Sequence, residues 1–128
     1  MKKRAICLLL TVIICVCFST VCFAVSAEEI RALEERAVQG EAEAQIAIGN
    51  MYVQGKDIEQ DYSKAFEWFE KAANQGLAEA QTYVGLLYHT GQGVGLDYIK
   101  AKEWYKQACD NGDQIGCTGH KQLNDMGY

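Results

Sequence analysis

The sequence predicts an all-α fold: a right-handed helical-repeat solenoid of two full units closed by half-unit caps. Three observations carry that prediction. A 36-residue block recurs in tandem, each block holds two helix-like patterns separated by glycine, and the 128-residue chain contains no proline. Tandem self-similarity at a period of this length is the signature of stacked supersecondary units.

The chain opens with a segment outside the repeats. Met1 to Arg4 form a short basic stretch, and residues 5–23 are almost wholly apolar. Val25-Ser26-Ala27 then resemble a small-residue cleavage site, so residues 1–27 have the anatomy of a secretory signal peptide. The alternative is an uncleaved anchor, because about 19 apolar residues can just span a bilayer; membrane association is expected only in that case. A lipid-modified reading fails at Cys22, because Val21 stands where a small residue is needed. The expected location is outside the cytoplasm, secreted or periplasmic.

Removal of the leader takes Lys2, Lys3 and Arg4 with it. Nine basic residues then face 17 acidic ones, a net charge of −8. Such a surface repels phosphate backbones and argues against nucleic-acid binding.

"EEIRALEERAVQG" (residues 28–40) reads as an N-terminal cap helix, with Ile30, Leu33 and Ala37 in the register of Phe66, Phe69 and Ala73. Unit one is residues 41–76, "EAEAQIAIGNMYVQGKDIEQDYSKAFEWFEKAANQG". Unit two is residues 77–112, "LAEAQTYVGLLYHTGQGVGLDYIKAKEWYKQACDNG". A gapless comparison of the two gives 15 identities, among them Gly49/Gly85, Asp61/Asp97, Trp68/Trp104 and Gly76/Gly112.

Each unit reads as two helices. The first runs from Ala42 to about Val53 and carries small Ala42, Ala44, Ala47 and Gly49, which permit close approach of a neighbour. Gly49 costs about 1 kcal/mol of propensity against alanine, so a packing reason is expected. A glycine turn follows. Asp61 and Asp97 are N-cap candidates for the second helix. Ala65, Trp68, Phe69, Ala72 and Ala73 then recur at spacings of three and four, the apolar stripe of an amphipathic helix. Gly76 and Gly112 are stop signals. Residues 113–128 fill the first-helix slot of a third unit with a decayed pattern: Lys121 replaces the unit's glycine and Asn124 its tyrosine. A closing cap has this character.

Four of the six cysteines leave with the leader, and Cys109 and Cys117 remain. An even number in an oxidising compartment reads first as a disulfide. A zinc site needs four ligands at close spacings, whereas His89 and His120 are the only histidines. A redox couple favours C-x-x-C, which is absent.

The pattern "AEAQ…G…Y…GxGV…DYxKAxEWYxxA…G" resembles the Sel-1-like repeat, a relative of the tetratricopeptide repeat, over nearly all of residues 28–128. Unit one departs from it in its loop, where Lys56-Asp57 stand in place of the Gln92-Gly93 of unit two. "ACDNGDQIGC" looks like the linker of the family's cysteine-rich branch. That resemblance implies a Cys109–Cys117 bond tying one unit's second helix to the next unit's first. Some relatives in that branch carry a beta-lactamase or penicillin-binding assignment, so the resemblance also implies a hydrolase alternative. The residues give it little: the sole mature serine, Ser63, starts no S-x-x-K motif, and two histidines cannot build a metallo-type site.

Nothing else in the sequence calls for a cofactor, metal or catalytic group. Trp68 and Trp104 read as core, and "GQGVG" (residues 91–95) lacks the lysine of a phosphate loop. The expected function is an exported protein–protein interaction adaptor binding a protein or peptide on the concave face. Small size and acidity also suit a purely structural or neutralising subunit. First helices line the inner face in related solenoids. The candidate partner contacts are therefore the first-helix positions taken to lie off the core stripe: Gln45, Asn50, Val53, Gln81, Leu86 and His89.

Overall fold

The computed structural model describes residues 27–128. The expected leader, apart from Ala27, lies outside the described residues. Six α-helices follow one another: α1 (Ala27–Val38), α2 (Ala42–Gln54), α3 (Tyr62–Asn74), α4 (Ala78–Thr90), α5 (Tyr98–Asp110) and α6 (Gln114–Asp125). Each packs against its sequence neighbours, and α4 also touches α6. The fold is an all-α helical-repeat solenoid. α2 and α4 are the first helices of the two units and α3 and α5 the second, with α1 before the first unit and α6 after the second.

Local chemistry places the helix ends. Asp61 accepts a hydrogen bond from the Lys64 backbone N–H at 3.0 Å, and Asp97 accepts the equivalent bond from Lys100 at 2.9 Å. Both satisfy orphan donors of a first turn, and losing such a cap costs about 1 kcal/mol. The loop before α5 depends on Gly93, which sits at φ 71°. A side chain there would also drive into the Tyr62–Ser63 backbone of the preceding unit. Asp57, its counterpart in unit one, takes the same left-handed conformation at φ 67°, a region that aspartate tolerates better than most residues.

The core is built by one recurring device, an aromatic ring of a second helix laid on a glycine of the first. A Cβ on Gly49 would lie 2.7 Å from the Phe69 ring, and one on Gly85 2.7 Å from the Tyr105 ring. Phe69 is fully buried, and Tyr83 stacks on it at 4.5 Å between ring centroids. Tyr105 is held differently. Its other edge meets Gly119 of α6, whose Cβ would lie 2.8 Å from the ring. The closing helix thus keeps a packing glycine two positions before Lys121, and Gly116 lies equally close to Ala108. Burial pushes the Tyr105 hydroxyl up to about 12.

Trp68 packs over Ala37, Ala44 and Ile48, while Trp104 joins the central cluster around Phe69 and Val84. The Lys71 ammonium stands 4.1 Å above the Trp68 ring, a contact worth about 0.5–1 kcal/mol at an exposed site.

Candidate functional site

Unit-to-unit joints explain where several predicted residues lie. Gln45 Nε2 donates to the Ala37 carbonyl at 3.0 Å, and Gln75 donates to Gln45 Oε1 at 3.0 Å. One unit later, Gln81 Nε2 donates to the Ala73 carbonyl at 3.2 Å and Asn111 donates to Gln81 Oε1 at 2.8 Å. Each glutamine ties a first helix to the second helix before it. At the third joint Cys109 and Cys117 occupy the same register and are joined by a disulfide, with 4.4 Å between their Cα atoms. A covalent staple therefore stands where the other two joints use an amide.

This corrects the expectation that Gln45 and Gln81 lie off the core stripe. They are only 4% and 3% exposed, and both ends of each amide are satisfied internally. Val53 is half-buried against the central cluster. The physical reason is that first helices are packed on more than one side. α4 meets α3, α5 and α6, so a single apolar stripe does not describe its buried surface.

His89 is half-buried, with Nδ1 3.4 Å from the Tyr105 hydroxyl and its ring 5.5 Å from that of Tyr98. Asn50 is half-buried as well. Of the six candidates, Leu86 stands out as 44% exposed.

Leu86 lines a groove of about 550 Å³ between α4 and the α5–α6 corner. Its α4 wall is Ala78, Glu79, Thr82, Tyr83 and Leu86, and the far wall is Asn111, Gly112, Asp113 and Ile115. Asp113 fixes the two walls together. It accepts from the Ile115 backbone N–H at 2.8 Å, capping α6, and from the Thr82 hydroxyl at 2.7 Å. Ile115 on the far wall is 69% exposed. Tyr83 reaches from the groove to the core, where it stacks on Phe69.

Sequence reasoning missed Glu79, Thr82, Asp113 and Ile115. One signal was available: Ile115 falls in the 36-residue register of Glu43 and Glu79, an apolar residue where both units carry an acid. Ser63 sits exposed in the first turn of α3, and among the described residues no cluster of His, Cys, Asp or Glu could hold a metal ion. No helix among the described residues is long and apolar enough to cross a membrane.

Helical units joined by repeated amide and sulfur staples define a helical-repeat solenoid protein. The chain belongs to the Sel1 repeat family, which it matches over residues 42–77 and 78–113; such repeat proteins are generally protein-interaction scaffolds. Among solved structures it is similar to a Sel1 repeat protein from Oxalobacter formigenes. There the TM-score is 0.73 at 30% identity, covering 78% of this chain and 41% of that one. It is also similar to c5321, a protective antigen of uropathogenic Escherichia coli strains displaying an SLR fold (TM-score 0.65, 26% identity, 75% and 25% coverage). Cysteine rich protein B of Helicobacter pylori shares the fold at TM-score 0.68 and 21% identity, with 71% and 68% coverage. This chain spans less than half of the first of these proteins and a quarter of the second. No curated protein matches the sequence.

Proposed function

We propose that the protein is an exported scaffold that binds a protein partner through the first-helix face, with the α4–α6 groove as the contact. The observation that carries this is the groove itself. Leu86 and Ile115 stand exposed on opposite walls of a concavity whose size falls in the usual range for binding sites, roughly 300–1,000 Å³. Exposed apolar side chains gathered in a concavity rimmed by polar groups are a common mark of an interaction site.

Export is supported by the leader-like residues 1–27 and by the Cys109–Cys117 bond, since disulfides persist in oxidising compartments. The concave-face reading is narrowed from six candidates to one anchor. Gln45 and Gln81 belong to the joints, and His89 belongs to an aromatic cluster with Tyr98 and Tyr105. The hydrolase alternative gains nothing from the geometry, because no activated nucleophile lines the groove.

The test is affinity capture from the producing cell with three baits: the wild-type mature chain, Leu86→Ser and Glu103→Gln. A partner held by wild type and Glu103→Gln and lost at least tenfold by Leu86→Ser is expected. Equal retention by all three would overturn the groove as the contact.

A further inference from the structure

The charges are segregated in a way that specifies the partner's chemistry. Residues 28–128 carry nine basic residues. Seven lie on α1, α3 and α5, Lys56 lies in a loop, and Lys121 lies in the second half of α6. The first helices α2 and α4 contain no lysine or arginine at all.

Most of the second-helix cations are already engaged. Arg36 pairs with Glu41, Lys64 with Asp61, Lys100 with Asp97, and Lys106 with Asp110. Lys71 covers Trp68, and Lys102 donates to the Tyr128 carbonyl. None of these groups belongs to the groove, whose titratable side chains are Glu79, Asp113 and Tyr83.

Glu79 is exposed on the first turn of α4 and has no hydrogen-bond or ion-pair partner among the described residues. Asp113 is occupied by Thr82 and the α6 N-terminus but remains a carboxylate at the opposite wall. Leu86 and Ile115 add exposed apolar surface to the same groove. The geometry points to a cationic–apolar peptide segment as the occupant: a bulky aliphatic or aromatic side chain seated between Leu86 and Ile115, flanked by a lysine or arginine that meets Glu79. This rests on the groove being the binding face and adds the partner's chemistry.

Complementary charge governs specificity and encounter rate more than raw affinity, and like charges placed opposite each other are penalised. An acidic segment is therefore excluded from this groove. A segment with charge alone gains little, because an exposed pair contributes at most about a fivefold change. Both elements are needed.

The test uses the mature disulfide-bonded chain and three labelled dodecapeptides on an Ala/Gly background, read by fluorescence anisotropy at low salt. One carries Lys-Phe-Lys, one Glu-Phe-Glu and one Lys-Ala-Lys. Saturable binding is expected for the first, at least tenfold weaker binding for the other two, and weakening as salt rises. Glu79→Lys should weaken the Lys-Phe-Lys peptide about fivefold or more, and Leu86→Ser about tenfold, with the helical circular-dichroism signal of both variants unchanged. Amide shifts in a ¹⁵N spectrum should fall on residues 78–86 and 111–115.

Equal binding of Glu-Phe-Glu, still dependent on Leu86, would overturn the charge inference and leave the groove reading standing. Equal binding of Lys-Ala-Lys would overturn the inference by removing its apolar half. Binding of Lys-Phe-Lys that ignores both substitutions would overturn the inference and the groove together.

Discussion

Gly85→Ala isolates the ring-on-glycine device. The substitution should add about 1 kcal/mol of helix propensity in the middle of α4. Against this, the new Cβ would sit 2.7 Å from Tyr105 Cδ1 and 2.9 Å from Cε1. The ring cannot retreat, because its opposite edge already meets Gly119 at a distance that admits no extra carbon. Overpacking a well-filled site costs about 1–3 kcal/mol, so the net loss is about 1 kcal/mol. For a domain near 100 residues that lowers Tm by about 5 °C. Gly95→Ala is the control: its φ is outside the left-handed region and nothing lies within 4 Å of a Cβ built there. That change should stabilise by about 0.4–1 kcal/mol through the unfolded chain. Thermal melts followed by circular dichroism should thus move in opposite directions for the same chemical change. A Gly85→Ala protein that melts at or above wild type would refute the reasoning.

Reducing the Cys109–Cys117 bond, which closes a loop of about nine residues, should cost about 2.5 kcal/mol on chain-entropy grounds. A Cys109→Ala, Cys117→Gln protein should recover about 1 kcal/mol over Cys109→Ala, Cys117→Ala, since it recreates the joint that Gln81 makes with Ala73; urea midpoints at constant m-value decide it. The Arg36 guanidinium holds the Glu41 carboxyl below its usual range, so this tie between α1 and α2 is present above the unfolded-state value. It is lost as pH falls through the lower folded value. Hydrogen exchange of α1 amides, corrected for intrinsic rates, should therefore rise as pH falls below the ordinary glutamate range in wild type but show no such acid dependence in Arg36→Gln. Purified mature protein should turn over a chromogenic cephalosporin no faster than a heat-killed sample; clear turnover would restore the hydrolase alternative.

Elements governed by local chemistry were readable from residue order. Asp61 and Asp97 cap as their type dictates, and Gly49 proves to be spaced for a ring, Phe69, that the sequence could not name. The joints were harder. Glutamine is a polar residue, and Gln45 and Gln81 read as outward-facing until their amides are seen spanning to carbonyls eight residues earlier. The clue lay in the register, because Cys109 and Cys117 stand eight apart at the same positions. The last helix was read as decayed from Lys121, yet it meets Tyr105 with Gly119, in the register where Tyr83 meets Phe69. Leu86 was named only as a first-helix position off the core stripe, and it is exposed in the groove. Ile115 was not named, because which face of α6 turns toward α4 depends on the rotation between units, and a 36-residue period does not encode that rotation.

Site-specific photocrosslinking inside the producing cell tests the binding face most directly. A benzoyl-phenylalanine placed at Leu86 or Ile115 should yield discrete protein adducts, while the same probe at the exposed second-helix positions Glu67 or Glu103 should yield none. Adducts formed from Glu67 or Glu103 with Leu86 and Ile115 silent would contradict it.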